Sequence, residues 1–243
     1  LQFYKSSFFT ESPRLFHTET ESSNRELEEW NMSQIFIIGA NGKVGRHAAR
    51  LLQDSEHDVK VGLRSKDQFS DFEKLGHTPV HLDLEADVAT ITDTLQGSDV
   101  VIFTAGSGGH TGADKTMLID FDGAVKAIEA AEAINAKQFI MVSALNADSP
   151  ETWSDSMKPY YIAKRYADRV LKESSLNYTI LRPGGLSDEA GTGNVTTDPS
   201  EQATKKIPRE DVARVILAAL GHDNASKQVV TLLEGDTPIN ELF

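Results

Sequence analysis

The chain contains no cysteine among its 243 residues. That excludes a disulfide framework, a thiolate metal site and a catalytic thiol, and it makes a cytoplasmic location the expectation. Long apolar runs are missing as well. None approaches the ~20 residues that a membrane-spanning helix needs, and the first residues lack the charged-then-apolar pattern of a secretory signal. Positive charge is scarce: 24 Lys and Arg face 37 Asp and Glu, for a net charge of −13. Such a surface repels phosphate backbones and anionic lipids, so neither nucleic acid nor a membrane is an expected partner. No metal is expected either. His77 and His81 stand four apart, but Pro79 lies between them in a segment that reads as a strand, so they would not share a helix face.

Residues 1–31 are polar, rich in Ser, Thr and Glu, and without sustained period. They read as a mobile N-terminal extension, with Met32 as the functional start. Residues 32–243 read as one domain. Strands are expected at 34–38, 58–63, 78–82, 99–104, 137–143, 178–181 and 228–232. Helical patterns at 43–53, 66–75, 86–95, 113–134, 160–174 and 208–220 separate them. Strictly alternating strand and helix predict an α/β fold with a doubly wound parallel sheet, a Rossmann fold, in the order 3-2-1-4-5-6 with a seventh strand at an edge. The stretch 184–206 keeps no period and reads as a long functional loop, with a short strand at 195–197.

The most informative segment ends the first expected strand: Gly39-Ala40-Asn41-Gly42-Lys43-Val44-Gly45. Three glycines spaced three apart join a buried strand to a helix. Without Cβ atoms a diphosphate can approach the backbone and lie on the helix N-terminus. This is the phosphate turn of a dinucleotide-binding unit, with Gly39, Asn41, Gly42, Lys43, Val44 and Gly45 as candidate contacts. The second strand ends at Arg64, where an NAD-specific fold carries an acidic residue for the ribose 2′-hydroxyl. A guanidinium there favours a 2′-phosphate, hence NADP(H) over NAD(H). Asp83 and Leu84 follow the third strand, where the adenine edge would lie; Asp83 would accept from the adenine amino group or cap a helix starting at Ala86. Ala105 and Gly106, after the fourth strand, are small enough to lie against the cofactor. His110 stands farther along that loop, as a substrate contact or a solvated side chain.

Ser143 ends the fifth strand. Tyr160 and Lys164, four apart, share one helix face behind Pro159. The lysine is expected to lower the phenol pKa, so that Tyr160 exchanges a proton with a carbonyl or alcohol near neutral pH. Ser143 would hydrogen-bond the same oxygen, and Lys164 would also hold the nicotinamide ribose.

These residues, together with Leu181-Arg182-Pro183-Gly184-Gly185-Leu186 and Pro208-Arg209-Glu210-Asp211-Val212-Ala213, resemble the atypical short-chain dehydrogenase/reductase family, in its small NmrA-like and biliverdin-reductase-like branch. The resemblance covers nearly all of the chain beyond residue 31. It implies that Pro183 and Gly184 form the turn whose backbone meets the nicotinamide amide. It also marks a departure: Asp120 stands where the family often carries an asparagine that helps hold a proton-relay water through a helix distortion. The reading is an NADP(H)-dependent oxidoreductase acting on a small molecule, as a monomer or homodimer. The alternative is a non-catalytic NADP(H)-binding regulator. A nucleotide-sugar epimerase or dehydratase is less favoured, because only about 60 residues follow the sixth strand and they include core elements. The substrate pocket is expected from residues 107–110, 146–157 and 184–206, with Trp153, Met157 and Leu186 as apolar walls.

Overall fold

Seven strands form the parallel part of the main sheet: β1 (Gln34–Ile38), β2 (Asp58–Leu63), β3 (Thr78–His81), β4 (Val100–Phe103), β5 (Gln138–Val142), β6 (Tyr178–Pro183) and β10 (Gln228–Glu234). Four short strands follow β6: β7 (Gly185–Ser187), β8 (Asn194–Thr196), β9 (Lys206–Pro208) and β11 (Thr237–Pro238). The helices are α1 (Lys43–Leu51), α2 (Phe69–Glu73), α3 (Val88–Leu95), α4 (Ala113–Lys115), α5 (Ala124–Ala133), α6 (Lys158–Glu173) and α7 (Arg209–Ala218). These elements come from a computed structural model that describes residues 32–109, 111–200 and 205–243. The expectations for residues 1–31 and for His110 lie outside the described residues.

The central strands β1, β4 and β5 are buried almost throughout because both faces of the sheet are covered there. In β1, Ile35 and Ile37 point into one core, with Ala48 and Ala49 of α1, Phe72 of α2 and Val212 and Ile216 of α7. Phe36 and Ile38 point into the other, with Ile91 of α3, Ala127 and Ile128 of α5, and Leu171 of α6. The period-two alternation of β-strand side chains thus splits one apolar run between two cores.

The sheet order is β3-β2-β1-β4-β5-β6-β10-β8-β11. The expected 3-2-1-4-5-6 order holds and its pairs are parallel. The seventh strand, β10, pairs in parallel with β6, yet it is not an edge, because β8 runs antiparallel beside it and β11 beside β8. The stretch 184–206 is not one long loop. It supplies β8, and its two ends pair with each other as β7 and β9. Strand β8 is the short strand expected at 195–197, shifted by one residue, whereas β7 and β9, of three residues each, are too short to show a period.

Two helical stretches differ from expectation, one in its start and one in its interior. Helix α3 begins at Val88, capped by Asp87, which accepts from the Thr90 N–H at 2.7 Å; Asp83 turns instead to the Glu85 N–H at 2.9 Å. The expected helix over 113–134 is interrupted by a π-helical segment, Thr116–Gly123. Such wide turns are frequent at functional sites.

Candidate functional site

The sheet order reverses at β1, between β2 and β4. Ligands of doubly wound folds lie there, beyond the strand C-termini. Gly39 leaves β1 at φ +80°, and a Cβ on it would lie 2.6 Å from the Ala105 backbone. The glycine turn and the loop after β4 therefore touch, backbone to backbone. Gly42 is the N-cap of α1 and offers no side-chain acceptor, so the first N–H groups of that helix are left for an anion. Gly45 serves packing instead. A Cβ there would meet Gly39 O at 2.5 Å and Thr104 Oγ1 at 2.9 Å, so its absence lets α1 seat against the strands.

Two cavities adjoin across Thr104, Ala105, Gly106, Ser107 and Thr111. The smaller, about 370 Å³, is lined by Gly39, Asn41, Gly42, Arg64, Asp83 and Leu84 among others. Arg64 is exposed. The larger, about 810 Å³, is lined by Lys43, Val44, Ser143, Tyr160, Lys164, Pro183 and Gly184 among others. Apart from Gly45, every residue that the sequence nominated for cofactor or chemistry lies on one of these two walls. The expected substrate loops contribute Ser107–Gly109, Asn146, Ser156, Met157, Gly184–Leu186 and Lys205. Trp153 is not on the wall. It stacks on Tyr161 at 5.6 Å between ring centroids and donates to Asn146 O at 2.8 Å, supporting a residue that is on it.

Beneath Tyr160 lies a buried charge network that spacing alone did not reveal. The Lys164 ammonium is 5.8 Å from the Tyr160 ring centroid. It also pairs with Asp120 Oδ1 at 3.3 Å and donates to Val142 O at 3.4 Å. Asp120, only 1% exposed, accepts the Ser107 N–H through its other oxygen at 2.9 Å. Four residues past Lys164, Asp168 takes Arg182 through Nε and Nη2, both at 2.9 Å, and Arg182 reaches Asp148 at 2.5 Å. The Ser143 hydroxyl and Asp168 Oδ1 are buried without a well-formed hydrogen bond.

This network corrects the expected chemistry of Tyr160. Burial raises the phenol pKa above its ordinary value; Lys164 pulls it down, but Asp120 pushes it back up, and the net direction is upward. The lysine does not leave Tyr160 easily ionised, because burial outweighs its pull and Asp120 answers part of its charge. Burial works against the Lys164 ammonium, yet Tyr160, Asp120 and Asp168 together hold its pKa above the ordinary lysine value. Burial likewise raises the Asp168 carboxyl, with Ser143 and Arg182 opposing.

Two further cations, Lys205 and Arg209, line the larger cavity. Asp188 bridges Lys43 at 2.5 Å and Arg209 at 2.6 Å, tying the glycine turn to the start of α7. Arg209 stood in the Pro208–Ala213 segment, but nothing local pointed it at the cavity. Of the two histidines flanking Pro79, His77, just before β3, is buried with a ring nitrogen 2.7 Å from Ala49 O of α1, and His81 lies at the exposed end of β3.

Residues 39–223 match the model of an NAD(P)H-binding family. The chain belongs to this NAD(P)H-binding family. Among its relatives, the "Uncharacterized sugar epimerase YhfK" of Bacillus subtilis is 46% identical, over 86% of this chain and 97% of that protein. A solved structure described as a putative NAD-dependent epimerase/dehydratase from Bacillus halodurans is 40% identical, covers 86% of this chain and 98% of its own, and superposes with a TM-score of 0.81. ChuY, described as an anaerobillin reductase from Escherichia coli O157:H7, is 26% identical over 84% of this chain and 98% of its own, at a TM-score of 0.69. Kinship with the atypical short-chain dehydrogenases/reductases is thereby borne out. Membership of the NAD(P)H-binding family agrees with the groove itself: a glycine-rich phosphate turn, a helix N-terminus without a side-chain cap and small residues at the crossing of the two cavities. Among the described residues no helix is long and apolar enough to cross a membrane.

Proposed function

We propose that the chain is an NADP(H)-dependent oxidoreductase that transfers hydride to or from a small molecule held in the larger cavity. One observation carries this reading: Ser143, Tyr160 and Lys164 line a cavity that adjoins the one holding the glycine turn and Arg64. Arg64 makes no ion pair among the described residues, which leaves its guanidinium for a 2′-phosphate. Gly39, Asn41 and Gly42 would hold the adenosine half and the diphosphate. Pro183 and Gly184 would face the nicotinamide end, with Lys164 on the ribose hydroxyls.

The nicotinamide supplies or accepts the hydride; the protein supplies position, charge and a proton. Tyr160 would protonate the carbonyl oxygen as it gains charge, and Ser143 would hydrogen-bond the same atom. Met157 and Leu186, both partly exposed at the cavity wall, would shed water from an apolar substrate. The names of two relatives contain the word epimerase, and an epimerase is the less favoured alternative for this chain.

The test is NADPH oxidation against quinones, aldehydes and flavins, with Tyr160→Phe as control. Turnover that falls with the variant while NADPH binding persists supports the reading. Tight NADPH binding with no turnover on any acceptor, joined by capture of a protein partner, would replace it with a non-catalytic NADP(H)-responsive regulator.

A further inference from the structure

We infer that Asp120 is the counter-ion of Lys164 that keeps Tyr160 a protonated phenol, ready to donate, through neutral and mildly alkaline pH. The inference rests on the reading of Tyr160 as the proton donor of the site. Its basis is geometric. Asp120 is almost wholly buried, its Oδ1 is 3.3 Å from the Lys164 ammonium, and that ammonium is 5.8 Å from the Tyr160 ring centroid. The π-helical segment Thr116–Gly123 carries Asp120, and the Ser107 N–H anchors its second oxygen.

The charges around Tyr160 come from several elements. On its own helix it faces Lys164, Asp168 and Tyr161, and from the π-helical segment it faces Asp120. Asp168 is bound to Arg182, which is also bound to Asp148. Lys43, Lys205 and Arg209 line the same cavity, and Asp188 bridges Lys43 and Arg209. With Asp168 engaged by Arg182, Asp120 is the carboxylate left to neutralise Lys164. A lone lysine beside a phenol stabilises phenolate, and a phenolate cannot protonate a carbonyl. Burial of the phenol opposes that pull, and the lysine–aspartate pair removes part of it. In carbonyl reduction by a reduced nicotinamide, the hydride forms the new C–H bond and the carbonyl π pair takes the Tyr160 proton. The products are the alcohol, the oxidised nicotinamide and a tyrosinate, which recovers its proton from water. Asp120 lines the larger cavity but acts on the proton transfer through Lys164 in this scheme, so it is a positioning residue.

The experiment is Asp120→Asn in the full chain. The amide oxygen still accepts the Ser107 N–H, so the loop anchor stays and only the charge goes. Two unit charges about 6–9 Å apart at an effective dielectric near 20 move a titration by about one to two pH units. The Tyr160 midpoint is read from the ultraviolet absorbance of tyrosinate, as the difference between each protein and its Tyr160→Phe partner. It is expected to fall by that amount in Asp120→Asn and to stay in Asp120→Glu, and the alkaline limb of the NADPH-dependent reduction profile should move with it. Should Asp120→Asn fail to fold, Asp120→Ser removes the same charge in less volume. A Tyr160 midpoint that does not move in a folded, charge-free variant overturns the inference. Because this titration needs no turnover, its failure is distinct from failure to find an acceptor.

Discussion

Gly39→Ala is the sharpest test of the groove, because the same backbone strain occurs elsewhere without the contact. Gly39 stands at φ +80° and Gly76, between α2 and β3, at φ +78°. An alanine at either position is forced into the left-handed region, at roughly 1–2 kcal/mol. Both substitutions also remove similar freedom from the unfolded chain. The two sites differ in what the new methyl meets. At Gly76 nothing lies within 4 Å, whereas at Gly39 it would sit 2.6 Å from Ala105 Cα and N. Those are backbone atoms next to β4, so they cannot swing aside, and overpacking of this kind costs about 1–3 kcal/mol more. The expected totals are about 1–2 kcal/mol for Gly76→Ala and about 2–5 kcal/mol for Gly39→Ala. For a domain of this size that is a fall in Tm of about 2–8 °C against about 4–20 °C, and paired denaturant titrations compare the two directly. NADPH affinity, followed by cofactor fluorescence, should drop only in Gly39→Ala, since Ala105 lines both cavities. Equal destabilisation by the two variants, with NADPH affinity intact in both, would refute the backbone contact on which the groove is built.

Arg64→Ala should weaken NADPH by about 10- to 100-fold and leave NADH nearly unchanged, in keeping with the loss of a charge-assisted bond, as read by parallel fluorescence titrations. Tyr160→Phe should lower kcat by about 10²- to 10⁴-fold with NADPH binding retained. Because the phenol pKa is raised and the protonated form is the donor, wild-type reduction should hold its rate through neutral pH and fall only on the far alkaline side; a midpoint near neutrality would contradict that direction. Arg182→Leu leaves Asp168 buried and unpaired and should cost about 3–5 kcal/mol, most of it recovered in Arg182→Leu/Asp168→Leu, as measured by urea unfolding. Asp188→Ala removes an exposed bridge and should change stability by less than the scatter of the measurement at moderate salt.

Whatever depends on neighbours along the chain was legible in residue order. An apolar run ending in spaced glycines before a helical pattern is already a strand, a phosphate turn and a helix. Continuous apolar strands already imply a sheet covered on both faces, and Tyr160 and Lys164 at helical spacing already share a face. The strand order followed from those local units, because right-handed crossovers leave few ways to wind them. Contacts between residues far apart in the chain were fixed by packing. Nothing near Asp120 in sequence shows that it meets Lys164, and nothing near Asp188 shows that it joins Lys43 to Arg209. Strands β7 and β9 are each too short to carry a pattern and exist through their mutual pairing. The widest gap between spacing and structure is at Tyr160. Its distance from Lys164 along the helix promised a lowered pKa, but a pKa answers to every charge within a few ångströms and to the loss of water. Packing supplied both the burial and the opposing carboxylate.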